Sequence, residues 1–323
     1  MDIDRILDCK CCNELFPDDP ALAQQLYMAL MLKYHPDRCD DPRAAEASAV
    51  INTMYGKLKK SRCMNEKMFH RAGAPVMPVN YFFSAEHEYG TEFIGERELF
   101  FLISRDAEDC FFSSPAKDGF FFREFLPAGV MAQAEIFLPH IRDIFRTDEG
   151  LLIRALKLRE ELPLTAVADF YGGKLPARHA AWIVSRMLGM CCYAEVRGIV
   201  LNCIAEENLL IDPKEHVVRI GGGWWFAAEN GGRLIGVQSA VFDNMPVSSK
   251  TDGIARHVTD IECVKAVCRH ILPDDAPDAI RDFAESISSA SAVEEMDKWD
   301  CALKYAFGGR KFCNMNVSLP DIL

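Results

Sequence analysis

The chain lacks an apolar segment of the roughly 20 residues that a membrane-spanning helix needs. It also lacks an excess of basic residues, because 36 Lys and Arg stand against 48 Asp and Glu, for a formal net charge of -12. Nucleic acids and anionic membrane surfaces attract proteins through Lys and Arg, so this balance argues against both as partners. The N-terminal stretch MDIDRILDCK is charged and has no apolar signal segment, and we therefore expect a cytoplasmic location.

Cysteine, in contrast, is abundant, with 13 residues in a chain of 323. The odd number and the absence of a signal segment indicate reduced thiols rather than a disulfide framework. Cys9, Cys11 and Cys12 could contribute zinc ligands together with Cys39 or Cys63, but their spacing matches no recognised zinc pattern. Clustered cysteines in a cysteine-rich chain are more often small buried or surface thiols. We therefore expect no metal site and no cofactor.

Two helices joined by a short loop are predicted near the N-terminus. Apolar residues recur at helical spacing in residues 21–34, and a second helical pattern covers residues 42–60. The tripeptide His35-Pro36-Asp37 lies between them, and its proline biases the preceding residue out of the helical region. The sequence therefore predicts a helical hairpin.

The segment LKYHPDR, followed by an Ile-Asn and a Tyr in register in the second helix, resembles the J-domain. J-domains are co-chaperone modules that use a His-Pro-Asp loop to stimulate ATP hydrolysis by DnaK-type chaperones. The resemblance implies that Lys33, His35, Pro36 and Asp37 form the motif that contacts such a chaperone. For the tripeptide alone, a tight turn in which Asp37 caps the following segment is the alternative.

The hairpin departs from the J-domain pattern where that family contacts its chaperone. J-domains carry basic residues on the helix that precedes the His-Pro-Asp loop. In this chain that helix has Gln24, Gln25 and Met28, and Lys33 is its one Lys or Arg. Electrostatic attraction to an acidic partner surface is therefore expected to be weak. Ser48 stands where the family usually has Phe.

Beyond the hairpin, residues 61–80 are predicted to be a connector. The Phe-rich runs that follow suit an antiparallel sheet, with strands expected at 80–84, 91–94, 99–104 and 109–114. Gly90 and Gly95 flank one of these runs, and hairpin turns explain them as well as a phosphate-binding loop does. A helix is predicted over residues 128–141.

A long amphipathic helix is predicted over residues 177–197, with Trp182, Ile183, Met187 and Leu188 buried. It leads into a strand-loop-strand pattern, with apolar runs at 198–201, 209–211 and 217–220 before three glycines. This spacing resembles the catalytic and metal-binding loops of protein kinases, which carry His-Arg-Asp, then Asn, then Asp-Phe-Gly. The corresponding places hold Leu201-Asn202-Cys203, Asn208 and Gly221-Gly222-Gly223.

The kinase resemblance implies a strand Lys paired with a helix Glu, for which Glu135 is the candidate Glu. No apolar strand carries a Lys, and Lys117 lies in a loop that we expect to be solvated. Asn208 alone cannot hold a magnesium ion, which prefers carboxylate and phosphate oxygens. Asp260 is expected to bond backbone N–H groups near the former catalytic loop, with simple N-capping as the alternative.

The sequence leaves two alternatives open for the loops that contain Cys203 and the glycine triplet. Cys203 could act as a nucleophile, although a buried thiol is the simpler interpretation. The glycine triplet could cradle a phosphate, or it could allow close backbone packing around Trp224 and Trp225. We expect no catalytic residue in either loop.

Taken together, these patterns predict a multidomain protein with an N-terminal all-α J-domain hairpin followed by an α+β protein-kinase-like bilobal fold. The expected divisions are a J-domain-like module (1–62), a linker (63–80), a lobe with an antiparallel sheet and one helix (81–157), and a mainly helical lobe (158–323).

The function expected from these resemblances is that of a non-catalytic, chaperone-type adaptor in which a J-domain is joined to a pseudokinase. Its expected partner is a protein, for which the J-domain resemblance makes a DnaK-type chaperone the candidate. The architecture resembles J-domain and kinase-like proteins of bacteriophages and bacteria. One alternative is an atypical kinase or nucleotide-binding switch that holds ATP and magnesium through relocated residues. The other is a scaffold in which neither module is active.

Overall fold

The computed structural model describes residues 1–17, 19–60, 64–71, 73–119, 121, 134–158, 160–309, 311 and 313–323. The chain has a mixed α/β architecture, with helices and several antiparallel sheets, and it divides into two compact units. One unit comprises Met1–Asn65 with Asn316–Leu323, and the other comprises Glu66–Met315. In the described part, no helix has both the length and the apolar character required to cross a bilayer. Nothing in the sequence indicates that the C-terminal residues group with the N-terminal unit.

The N-terminal unit is helical. It contains α1 (Ile3–Leu7), α2 (Cys12–Leu15), α3 (Pro20–Tyr34), α4 (Ala44–Lys60) and a short C-terminal helix (Leu319–Ile322). Helix α3 begins at Pro20, after the N-cap Asp19, whose Oδ1 accepts a hydrogen bond from the backbone N–H of Leu22 at 2.9 Å. Apolar side chains from α1 to α4 form the core of this unit, among them Ile6, Leu15, Leu30 and Ile51.

The loop between α3 and α4 is held at its base by Ser48. This side chain is buried, and its Oγ donates a hydrogen bond to the backbone oxygen of Tyr34 at 2.6 Å. The acceptor is one of the last carbonyl groups of α3, which has no partner within the helix. A Phe at this position could not make the bond, so the departure from the J-domain pattern has a structural role here.

The second unit begins with strands. Strands β1 (Asn65–Phe69) and β2 (Met77–Tyr81) form a two-stranded sheet, although the sequence predicts a connector for most of this stretch. That prediction was wrong because both strands are short and each has one fully buried side chain, Phe69 in β1 and Val79 in β2. One buried position per strand does not form an alternating pattern, so the sequence alone does not predict these strands.

A five-stranded antiparallel sheet follows. Its strands are β3 (Phe83–His87), β4 (Gly90–Ile94), β5 (Glu98–Ile103), β6 (His140–Arg146) and β7 (Leu151–Leu156), in the order β3-β4-β5-β7-β6. Side chains alternate between the two faces of a strand. Phe100 and Leu102 of β5 therefore pack with Phe69 and Val79 on one face, and Phe101 lies on the other.

Two predictions for this region were wrong. Residues 109–114 lie in helix α5 (Glu108–Ser113), not in a strand. Two acidic residues in the first turn complement the helix dipole, and Pro115 follows the helix end. These short-range effects outweigh the strand preference of the adjacent Phe111 and Phe112.

The predicted helix at 128–141 lies partly outside the described residues, and its end forms the start of β6. Pro139 disfavours a helix that continues through it, and β6 instead pairs with β7, with a bulge between Ile141 and Asp143. The bulge interrupts the alternation by which a strand is recognised in sequence.

The remainder of the unit is mainly helical. Its elements are β8 (Leu162–Pro163), α6 (Leu164–Phe170), α7 (Ala177–Arg197), β9 (Ile199–Val200), β10 (Leu209–Asp212), β11 (Val217–Ile220), β12 (Ala228–Glu229), α8 (Ser239–Asn244), α9 (Val247–Asp252), α10 (His257–Ile271), α11 (Asp278–Glu285) and α12 (Ala292–Phe307). Helix α7 has the predicted bounds, and Ile183, Met187 and Leu188 are buried as expected. Trp182 is the exception, because its side chain is only partly buried.

Candidate functional site

The loops that follow β9 and β11 meet next to helix α10, where Asp260 holds the first of them. Its carboxylate accepts hydrogen bonds from the backbone N–H groups of Leu201 at 2.7 Å and Asn202 at 2.9 Å. Asn202 has a left-handed backbone, with a φ of 52°. The contact is the one expected from the kinase resemblance, and it is more than an N-cap because its partners are 58 and 59 residues away in the chain.

The polar groups in the loop after β9 are buried. Burial raises the pKa of Asp260 to about 7, while its two backbone hydrogen bonds act in the opposite direction. Burial also raises the pKa of Cys203, whose side chain is completely shielded from solvent. A thiol must be ionised and accessible to act as a nucleophile. The geometry therefore favours the structural interpretation of Cys203.

Both the nitrogen and the oxygen of the Asn208 side-chain amide form hydrogen bonds within the protein. Its Nδ2 donates to the backbone oxygen of Cys203 at 2.9 Å and to Oε1 of Gln238 at 2.5 Å, and its Oδ1 accepts from Gln238 at 3.4 Å. Its backbone oxygen accepts from the N–H groups of Gly221 at 2.7 Å and Gly222 at 3.1 Å. The one kinase-type polar residue in these loops therefore fixes the glycine segment. Nothing in the sequence singles out Gln238 for this role.

Two of the three glycines are required by their surroundings. Gly223 has a φ of 70°, and a Cβ there would lie 2.7 Å from Oε1 of Gln238 and 2.9 Å from Nδ2 of Asn208. A Cβ on Gly221 would lie 2.9 Å from Cγ of Leu210. The triplet thus permits close packing, which supports that alternative over a phosphate cradle.

Aromatic side chains fill the space between the glycine segment and the sheet. Phe101 of β5 faces Trp224 and Trp225, with ring centroids 5.1 and 5.6 Å apart, and Trp225 also contacts Tyr89 at 4.8 Å. All four side chains are at most 3% exposed. A Cβ on Gly222 would lie 3.3 Å from both the Phe101 ring and the Tyr89 hydroxyl, so the backbone and these rings are in direct contact.

The turn between β3 and β4 brings Tyr89 into this cluster. His87 stacks on the Tyr89 ring at 5.0 Å, and its Nε2 lies 3.3 Å from the buried carboxylate of Glu92. Burial raises the pKa of Glu92, and the neighbouring His87 lowers it. Glu88 in the same turn accepts a hydrogen bond from the backbone N–H of Ser239 at 3.2 Å. The turn is thereby tied to the segment beyond the glycines.

The two residues considered for a kinase ion pair are not brought together. Glu135 lies in a turn, with its Oε1 3.3 Å from Nδ1 of His140. Lys117 is partly buried, not solvated as predicted, and its Nζ donates to the backbone oxygen of Phe112 at 3.0 Å. Phe101 is the residue of β5 that faces the glycines, and β5 contains no Lys.

In the N-terminal unit, the His-Pro-Asp loop is accessible. The side chains of His35 and Asp37 are 44% and 86% exposed, and the backbone N–H of Asp37 donates to Nδ1 of His35 at 3.2 Å. Lys33 is also exposed, and its Nζ donates to the backbone oxygen of Met1 at 3.2 Å. The loop therefore presents a His and a carboxylate to solvent.

The cysteine cluster of the same unit makes separate contacts. Cys9 Sγ lies 3.1 Å from the backbone oxygen of Arg5, Cys11 Sγ bonds the backbone oxygen of Asn316, and Cys12 is buried. Burial raises the pKa of Cys11 to about 12, which disfavours a thiolate ligand. Among the described residues, no group of three or more His, Cys, Asp or Glu side chains is arranged to hold a metal ion, and Cys63 lies outside them.

Comparison with known proteins adds no assignment, because neither a protein-family model nor a curated protein matches the chain.

Proposed function

We propose that this protein is a non-catalytic adaptor of the chaperone type, in which a J-domain-like helical unit is joined to a protein-kinase-like domain that binds a protein partner. The N-terminal helices and their His-Pro-Asp loop support the first part. The antiparallel sheet followed by a mainly helical region supports the second, together with the Asp260 contact to the loop after β9.

The aromatic cluster is the observation that carries the non-catalytic part of the proposal. Phosphoryl transfer requires room for a nucleotide, a Lys on its phosphates and carboxylates on its magnesium. Beside the glycine triplet, this chain instead places the buried rings of Tyr89, Phe101, Trp224 and Trp225. A phosphate there would have to displace apolar rings and leave Asn208 without its present partners.

The outer face of α3 supports recognition of a partner by apolar contact rather than by charge. Three apolar side chains on this face are exposed, namely Leu22 (55%), Met28 (64%) and Leu32 (61%). Lys33 is the one Lys or Arg in α3. Each Å² of apolar surface that such side chains bury against a partner contributes a favourable free energy of about 25 cal/mol, from which the costs of association are subtracted. Attraction between this face and an acidic surface adds little, because that effect needs clustered charge.

The test of the adaptor function is stimulation of a DnaK-type ATPase by the full chain. We expect stimulation by the wild-type protein, because His35 and Asp37 are exposed at the tip of the hairpin. The variant His35→Gln is expected to lose it, whereas His70→Gln, which changes an exposed histidine in the other unit, is expected to keep it.

The rate of this ATPase separates the proposal from its alternatives. No stimulation by the wild type, or equal stimulation by His35→Gln, would remove the co-chaperone function and leave a scaffold. We also expect stimulation to change little between low and physiological salt, because the exposed face of α3 is mainly apolar. A steep loss of stimulation with salt would indicate charge-driven contact instead.

Nucleotide binding provides a second prediction. A protein that binds ATP should gain roughly 2.7 kcal/mol of stability when the ligand is at about 100 times its dissociation constant. We expect ATP with magnesium or manganese to leave the melting temperature of the full chain unchanged, because aromatic rings occupy the space beside the glycines. A saturable increase in melting temperature would favour the nucleotide-binding switch.

A further inference from the structure

A cavity of about 270 Å³ opens in the Glu66–Met315 unit between α7, the turn that joins β10 to β11, and the end of α12. It shares no lining residue with the loops around the glycine triplet. The side chains that determine its chemistry are Arg178, Trp182, Arg186, His216, Phe307 and Lys311.

The lining of this cavity has the opposite charge from the protein as a whole. The chain has a net charge of -12, yet the described residues that line the cavity include Arg178, Arg186 and Lys311 and no Asp or Glu. Within the described residues, none of these three cations forms an ion pair with a carboxylate. Unneutralised cations around a concave surface raise the local concentration of anions.

Two of these cations are oriented by neighbouring groups. The guanidinium of Arg178 lies over the Phe307 ring, 4.5 Å from its centroid. Arg186 Nε donates to the backbone oxygen of His216 at 2.6 Å, while its two terminal nitrogens bond no described residue. Guanidinium groups held in this way present N–H donors that match the oxygens of a carboxylate or a phosphate.

The Trp182 indole supplies a polar group that has no acceptor. Its ring stacks on His216, with centroids 4.6 Å apart and planes 2° from parallel. Its Nε1 is shielded from solvent and has no hydrogen-bond partner among the described residues. Because buried polar groups in proteins are nearly always bonded, an oxygen of a ligand is a natural partner for this N–H.

We infer that this cavity binds a small organic anion, a carboxylate or phosphate attached to a short ring-containing body. The cations and the Trp182 N–H would contact the anionic oxygens. Phe307, Leu303 and Ala181 provide the apolar part of the lining for the ring. The volume of about 270 Å³ is slightly below the roughly 300 Å³ at which the usual range for ligand pockets begins, so the cavity excludes large ligands.

Calorimetric titration of the full chain with phenyl phosphate, benzoate and the uncharged compound phenol tests this site. We expect at least one of the two anions to bind saturably and phenol to show no binding. The stronger of phenyl phosphate and benzoate identifies the anionic group. Arg186→Gln is expected to weaken binding about tenfold, because one charge-assisted contact is lost. Trp182→Phe keeps the ring but removes the N–H, and it should weaken binding as well.

Arg142→Gln is the matched control, since Arg142 is exposed on β6 and does not line the cavity. Its affinity for the anion should equal that of the wild type, and all variants should keep the wild-type melting temperature without ligand. Absence of binding by both anions would overturn the inference, as would equal affinity in Arg186→Gln. Binding of a hexaglutamate peptide without binding of either small anion would also overturn it.

Discussion

Replacing Asp260 with Ala is expected to lower the free energy of unfolding by about 3 kcal/mol, because two buried backbone donors lose their acceptor. The N–H groups of Leu201 and Asn202 bond this carboxylate in a region where all three residues are at most 1% exposed. Asn202 also has a left-handed backbone, which is unfavourable unless the surroundings hold it. Without these two hydrogen bonds, the loop after β9 would no longer be held in its present conformation.

Urea unfolding followed by tryptophan fluorescence measures the Asp260 effect. The four Trp residues all lie in the Glu66–Met315 unit, so their signal reports that unit and not the helical one. Asp282→Ala is the control, because Asp282 is exposed on α11 and its replacement should change stability by less than about 0.5 kcal/mol. An equal effect of the two substitutions would show that the buried hydrogen bonds contribute nothing.

The same carboxyl predicts a pH dependence. Its pKa rises from an ordinary value of 3.8 to about 7 in the folded protein, so the folded state keeps a proton that the unfolded state releases. The stability that this proton contributes is present below pH 3.8 and is lost as the pH rises through 7. Wild type should therefore lose stability relative to Asp260→Asn between these values, and a constant difference would contradict the buried position.

The second large effect concerns a buried ion pair. Lys265 Nζ lies 2.7 Å from Oε1 of Glu295, and neither side chain has any exposed area. Lys265→Met should lower the free energy of unfolding by about 3 kcal/mol, because it removes the fully buried counter-charge of Glu295. Among the described residues, the carboxylate then keeps only Lys298 as a cationic partner, which is 45% exposed and whose Nζ lies 3.2 Å from Oε2. The backbone oxygen of Ser286 would also lose a donor at 2.8 Å. Urea unfolding of the full chain provides the measurement.

A double-mutant cycle separates this charge effect from lost packing. Adding Glu295→Gln to Lys265→Met should restore part of the stability, because it removes the buried charge that Lys265 no longer neutralises. Lys304→Met on the exposed face of α12 is the control for loss of a Lys, and it should have little effect. If the double variant loses as much as the two single variants combined, the pair is not energetically coupled.

The candidate site was predictable in its parts and not in its arrangement. The spacing of Asn208 and the glycines along the chain located the loops, and the resemblance to kinases indicated Asp260 as a partner. Gln238 and Tyr89 carry no local signal, because their roles arise from contacts with residues at least 30 positions away. Glu135 matched the expected residue type, but it pairs with His140 in a turn.

What the sequence by itself determined is local: the helical patterns of residues 21–34 and 177–197, and the absence of an acidic residue at Cys203 and Gly221, where the resemblance to kinases would place one. These features depend on residue type and on neighbours within a few positions. Only the tertiary structure decided that residues 140–146 pair as a strand and that aromatic rings close the space beside the glycines. Strand pairing and ring packing join residues distant in the chain, and their free energy depends on surroundings that a local pattern does not contain.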